Sequence, residues 1–123
     1  MDIETLRKEV TQGNMQALFS LAQKYWQGEG VKKSKKKALE LWNEGALKGD
    51  GACAFHLGTL YEKGLIVKKD YNQARYYYLI AYRNHHKEGT LRLAYFYEHG
   101  LGVYKDIEKA KELYSEVEEW SEK

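Results

Sequence analysis

Side chains that bind metals, move protons or attack bonds are few in this chain, and their spacing is unhelpful for chemistry. The four histidines are His56, His85, His86 and His99, and Cys53 is the one cysteine. His85 and His86 are adjacent, and neighbours on a helix diverge by about 100°, so they make a poor metal pair. His56 and His99 stand alone, with no second thiolate and no His-Glu-x-x-His segment, so no metal is expected. No nucleophile has both a base and an orienting group beside it. The carboxylates are plentiful but fall on what read as exposed helix faces, where they solubilise. No catalytic residue and no cofactor is expected, and the chain does not read as an enzyme.

The densest charge is Lys32-Lys33-Ser34-Lys35-Lys36-Lys37. Such a run can meet phosphate or an acidic protein. Here it falls on a turn and a helix start, where cations oppose the helix dipole, so a solvated loop is the better reading. Lys+Arg of 20 against Asp+Glu of 18 leaves a formal charge of +2. That balance, without a long basic stripe or interleaved stacking aromatics, excludes nucleic acid as the expected partner. No apolar run reaches membrane-spanning length, and the charged start Met1-Asp2-Ile3-Glu4-Thr5-Leu6-Arg7-Lys8 is unlike a secretory signal. With a lone cysteine, a reducing compartment follows, and a cytoplasmic location is expected.

The elements that must position any site are set by repetition. Leu93-Ala94-Tyr95-Phe96-Tyr97-Glu98-His99-Gly100 is echoed 36 residues earlier by Leu57-Gly58-Thr59-Leu60-Tyr61-Glu62-Lys63-Gly64. It is echoed again at Leu21-Ala22-Gln23-Lys24-Tyr25-Trp26-Gln27-Gly28. Three copies in register predict a stacked-repeat architecture. Within each copy, an i, i+3, i+4, i+7 stripe such as Leu18, Leu21, Ala22 and Tyr25 marks the core face of a first helix. A glycine then ends that helix, and Ser34, Asp70 or Asp106 caps the second. Small residues at 22, 58 and 94 let the two helices approach closely. Residues 1–12, with Leu6 in register with Trp42 and Tyr78, read as an N-terminal capping helix. Repeats over 13–48, 49–84 and 85–123 follow, the last ending in an acidic cap that includes Glu112, Glu116, Glu118, Glu119 and Glu122. About seven helices in antiparallel pairs are predicted, with no strands.

The pattern L-[GA]-x-x-Y-x-x-G-x-G-V-x-x-[DS]-x-x-x-A-x-x-[WY] resembles the Sel1-like repeat, a relative of the tetratricopeptide repeat. Copy three carries it through Leu93, Ala94, Tyr97, Gly100, Gly102, Val103, Asp106, Ala110 and Tyr114. Copy one follows with Ser34 in place of the aspartate, and copy two departs at Ile66, where the second glycine belongs. The resemblance implies an all-α, right-handed solenoid with a concave groove, acting as an adaptor or scaffold for other proteins. Some secreted members are cysteine-rich and linked to β-lactam binding or hydrolysis. That is the alternative reading, and a lone Cys53 cannot build their disulfides.

In the related tetratricopeptide fold the first helix of each repeat lines the groove. Carried over, that places Gln16, Phe19, Gln23, Trp26 and Gln27 there from copy one. Copy two supplies Phe55, Thr59, Glu62 and Lys63, and copy three Glu88, Leu91, Tyr95, Glu98 and His99. Phe19, Phe55 and Leu91 share one position and double as packing candidates. Trp26 stands where the other copies have Glu62 and Glu98, and a large aromatic at an otherwise polar position suits a binding anchor. Its competing role is packing against the N-terminal helix. Tyr95 is the second anchor, and Tyr71 with Tyr76 marks a weaker convex contact. The expected partner is another protein or peptide, including the special case of a toxin neutralised by an immunity protein. The chain itself is expected to be a monomer or weak homodimer.

Overall fold

Each predicted helix begins where a side chain can accept from its free amides. The computed structural model describes residues 2–121 and holds seven helices and, among those residues, no strand. They are α1 (Ile3–Thr11), α2 (Met15–Gln27), α3 (Lys35–Leu47), α4 (Gly51–Lys63), α5 (Tyr71–Arg83), α6 (Lys87–His99) and α7 (Ile107–Ser121). Glu122 of the acidic end lies outside the described residues. Ser34 accepts from the Lys37 amide, Asp70 from those of Asn72 and Gln73, and Asp106 from that of Lys109. The first helices are capped likewise, by Asn14, Asp50 and, less predictably, the Nδ1 of His86.

Helices α2, α4 and α6 all stop at a left-handed glycine, with Gly28, Gly64 and Gly100 at φ of 70°, 68° and 67°. Two residues on, Gly30 and Gly102 are left-handed as well, at 77° and 66°. Copy two has Ile66 at that point, and it takes the same conformation at φ 71°. The turn keeps its shape despite the substitution, because helix exit and helix entry on either side over-determine it. The strain of holding a β-branched residue there stays in the chain.

The helices pair antiparallel as α2–α3, α4–α5 and α6–α7. Successive pairs stack so that α4 touches α6 and α3 touches α5. The result is an all-α, right-handed solenoid. Its core runs as a spine of Leu18, Trp42, Cys53, Leu57, Tyr78, Phe96, Leu93 and Leu113, all buried. The small-residue positions do what their size allows: a Cβ added to Gly58 would lie 2.4 Å from the Tyr78 ring. At the other end α1 lays Leu6 against Ala17 and Leu21, with Tyr25 and Leu41 packed around them.

Candidate partner-binding face

The first helices α2, α4 and α6 stand side by side, and two of their positions meet across each junction. The residue at 26 or 62, near the end of one first helix, faces the residue 30 places later, in the middle of the next. A ring from the second helix, at 42, 78 or 114, reaches the same point from behind. Each of the two junctions therefore carries a three-membered rung, a third site at Glu98 and Tyr114 carries two of the members, and the three differ in chemistry.

The first rung is aromatic. Trp26 packs on Trp42 with ring centroids 5.2 Å apart, and both meet His56, Trp42 at 4.1 Å and Trp26 at 6.4 Å. Phe19 closes the cluster against Trp42 and His56. Burial lowers the His56 pKa below the usual histidine value, because a charged imidazole would lose its hydration among these rings. The indole Nε1 of Trp42 and Nε2 of His56 have no hydrogen-bond partner among the described residues.

The second rung is polar and closed. Tyr78, whose ring is fully buried, donates its hydroxyl to Glu62 Oε1 at 2.6 Å. Arg92 donates from Nε to the same oxygen at 3.2 Å and from Nη2 to Oε2. Thr59 Oγ1 lies 3.4 Å from the Tyr78 hydroxyl. Burial, and then the Glu62 carboxylate, push the phenol well above its ordinary pKa. Burial works against the Arg92 cation, but the hydrogen bonds to Glu62 outweigh it and its pKa is raised.

The third rung has only two members. Tyr114 donates to Glu98 Oε1 at 2.9 Å. The side chain of Glu98 is 42% exposed against 17% for Glu62. Beside it Tyr95 is half-exposed, with the Arg92 guanidinium 4.4 Å from its ring centre and the His99 ring 4.2 Å away.

These rungs sort the residues expected to face a partner. Gln16, Gln23, Gln27, Lys63, Glu88, Tyr95 and His99 are exposed. Trp26 is half-buried, and its packing partner is not the N-terminal helix. One residue of helix turns a side chain by about 100°, so Tyr25 meets α1 while Trp26 meets Trp42 and α4. Phe19 and Phe55 pack against the buried core, and Leu91 is half-buried. Thr59 and Glu62 are engaged inside the second rung, which removes Glu62 from free contact with a partner. On the other side, Tyr71 packs edge-on to Phe96 while Tyr76 stays exposed. The lysine run is exposed, as a solvated turn should be.

Of the far members of the rungs, sequence reasoning weighed His56 only as a metal ligand and overlooked Arg92. The signal was present: Trp26 is followed 30 residues later by His56, and Glu62 by Arg92, so the partner changes with its opposite number. His86 was weighed only as a metal ligand, whereas it caps α6. Among the described residues, no cluster of histidine, cysteine or carboxylate side chains could hold a metal. No helix there is long and apolar enough to cross a membrane. Cys53 is buried and its thiol pKa is pushed far up by burial and by Asp50, the opposite of a reactive thiolate.

Comparison with known proteins agrees with the repeat. A Sel1 repeat family model matches residues 16–50, 51–86 and 87–116. The mouse protein sel-1 homolog 2 is 39% identical over 107 residues, covering 86% of this chain and 15% of that protein. The human counterpart is 37% identical over 78 residues, 63% of this chain and 11% of its own length. The chain thus spans only a small part of these relatives. Among solved structures, a Sel1 repeat protein from Oxalobacter formigenes superposes with a TM-score of 0.89 at 27% identity, over 96% of this chain and 89% of that one. A protective antigen present in uropathogenic Escherichia coli strains gives 0.85 at 25% identity, over 98% of this chain and 26% of that one. Helicobacter pylori cysteine rich protein B gives 0.71 at 25% identity, over 92% and 86%.

Proposed function

The chain belongs to the Sel1 repeat family, whose fold is typical of protein–protein interaction modules and generally non-catalytic, and from that premise we propose that it binds a protein or peptide along the concave face of α2, α4 and α6. One observation carries the reading: exposed Gln23, Gln27, Lys63, Tyr95 and His99 stand on first helices whose neighbours are locked together by the rungs behind them. A face held rigid in this way presents its contacts without an ordering cost at binding. Tyr95 is the main anchor. Trp26 and Glu98 supply edges, and the exposed amides and charges set register. Phe19, Phe55, Thr59, Glu62 and Leu91 shape the face from beneath. The setting is cytoplasmic, in keeping with the buried, unpaired Cys53, and an immunity protein that neutralises a toxin would be a special case of the same use. The chain works in this reading as a monomer or weak homodimer, without a cofactor.

The test is affinity capture from native lysate with the wild type and a Gln23→Ala, Tyr95→Ala variant of matched thermal stability. A protein held by the wild type and lost by the variant is the expected result. Equal retention would move the site elsewhere, and a wild type that captures nothing would defeat the reading.

A further inference from the structure

The turn between α2 and α3 closes a crevice of about 540 Å³ against α1, and its walls carry one sign of charge. Arg7 enters it from α1, Lys32 and Lys33 from the turn, and Lys37 from α3. Among the described residues no carboxylate lines it, and none of these three lysines has an ion-pair partner. Tyr25 stands among the cations. Its hydroxyl accepts from Arg7 Nη2 at 3.1 Å, and Lys37 Nζ lies 5.4 Å from its ring centre. The hydrogen of that hydroxyl has no acceptor among the described residues, so it is free to donate outward. Arg7 keeps Nη1 on Glu4 at 3.0 Å, an exposed pair, and Glu4 is not part of the crevice wall. We propose that this crevice binds a phosphate dianion, with Arg7, Lys33 and Lys37 as its countercharges and the Tyr25 hydroxyl as a neutral donor.

The crevice is a feature of the repeat. Two copies later, Tyr97, Val103, Lys105 and Asp106 line its counterpart where Tyr25, Val31, Lys33 and Ser34 line this one. That counterpart is neutralised from within. Arg75 spends its Nε on the Gly102 carbonyl at 3.2 Å, and the cap Asp106 brings a carboxylate. Copy two caps with a carboxylate as well, Asp70. Copy one alone caps with a neutral hydroxyl, Ser34, and that is where the cations are densest. The first turn of α3 has no acidic residue and holds Lys35, Lys36 and Lys37, which repel one another and the helix dipole. A bound dianion relieves that repulsion. The positive zone is also bounded. Asp2, Glu4 and Glu29 line the depression on one side, and Glu40 and Glu44 the one beyond Tyr25. An extended polyanion would run onto these carboxylates, whereas a compact phosphate would not. Phosphate carries up to two charges and three strong acceptor oxygens, which suit a guanidinium, two ammonium groups and a hydroxyl converging from three elements. The dianion belongs either to a phosphorylated side chain or to free phosphate. The site shares no residue with the concave face, so either reading can fail without the other.

The experiment titrates the 15N-labelled chain, at fixed ionic strength because salt screens such contacts, and follows amide chemical shifts. The probes are inorganic phosphate and the capped peptide acetyl-Ala-Ala-phosphoserine-Ala-Ala-amide, with the serine and aspartate peptides as controls. Saturable shifts confined to residues 7, 25 and 31–37 are expected with both phosphates, weaker ones with aspartate and none with serine. Lys33→Gln combined with Lys37→Gln should weaken binding by about tenfold or more, the usual effect of removing partners of charge-assisted bonds. Ser34→Asp is the sharper variant. It keeps an N-cap of similar strength and places a carboxylate in the crevice, so it should weaken binding by about tenfold or more. Its Tm without phosphate should stay level or rise, which separates lost binding from lost folding. Tighter binding of the phosphoserine peptide than of inorganic phosphate would support a phosphorylated segment as the source, and equal binding would support the free anion. Shifts spread equally over Lys68, Lys69 and Lys105, or shifts that survive Ser34→Asp, would reduce the effect to screening and overturn the site. No saturable shift would overturn it too, and aspartate binding as tight as phosphoserine would overturn the phosphate assignment.

Discussion

Replacing Glu62 with alanine should cost this small solenoid more than any single exposed charge has a right to. The substitution removes the acceptor of the Tyr78 hydroxyl, whose ring is fully buried, and leaves only Thr59 Oγ1 at 3.4 Å. An under-satisfied buried hydroxyl costs about 1–3 kcal/mol. The Arg92 pair adds less, because the side chains are 35% and 17% exposed and solvent screens them, for about 0.5–1 kcal/mol at most. Alanine returns a few tenths, roughly 0.3 kcal/mol, through helix propensity. The net loss is about 2 kcal/mol, near 8 °C in Tm for a domain of this size. The equivalent Glu98→Ala change is the internal control. Tyr114 is only half-buried there and no arginine is released, so about 0.5–1 kcal/mol is expected. Urea unfolding followed by far-ultraviolet dichroism and by tyrosine and tryptophan fluorescence measures both, with coincident transitions required for two-state treatment. Equal costs at 62 and 98, or a Glu62→Ala loss below about 0.5 kcal/mol, would refute the view that the closed rung locks α4 to α6.

Acid should loosen the fold through two histidines. Burial holds His56 and His86 below the ordinary value, so the unfolded chain binds more protons just below pH ~6.5, and stability is full above that pH and falls as pH drops toward the folded values. His86→Asn keeps an N-cap acceptor for Gly89, so thermal melts from pH 7.5 to 5 should show a shallower slope with the pH 7.5 midpoint nearly unchanged. Gly58→Ala gains about 1 kcal/mol of helix propensity but drives a methyl to 2.4 Å from an immovable Tyr78 ring. Overpacking of that kind outweighs the gain, for a net loss of about 1–2 kcal/mol in urea melts. Ile66→Gly should do the reverse and stabilise by about 0.5–1 kcal/mol, because relief at φ 71° exceeds the added freedom of the unfolded chain. A destabilised Ile66→Gly chain would show that the left-handed turn carries no strain.

The fold was legible because one pattern wrote it three times. Gly28, Gly64 and Gly100 mark helix ends, Ser34 and Asp70 mark starts, and the stripe through Leu57, Gly58 and Tyr61 names the buried face. Periodicity of this kind depends on local geometry and survives without knowledge of neighbours. The face offered to a partner was only half legible, for the opposite reason. Glu62 reads as an exposed charge on its own helix, and only the adjoining repeat, through Arg92, turns it inward. Trp26 likewise looked like an anchor or a cap contact, and its actual partners, Trp42 and His56, arrive from another helix and another repeat. His86 illustrates a simpler gap, since a neutral imidazole can cap a helix but is an uncommon choice beside the Asn14 and Asp50 of the other copies.

The pairing of residue 26 with 56, and of 62 with 92, has a consequence for how such chains can be rearranged. Each repeat carries a plug at the end of its first helix and a socket in the middle of it, and the plug of one copy fits the socket of the next. Trp26 suits the flat imidazole of His56, and Glu62 suits the fork of Arg92. Exchange copies two and three and the carboxylate of Glu98 would confront an imidazole buried neutral among rings, while Arg92 would lose its acid. The order of the copies is thus written into their seams, and units that look alike by motif are not interchangeable parts.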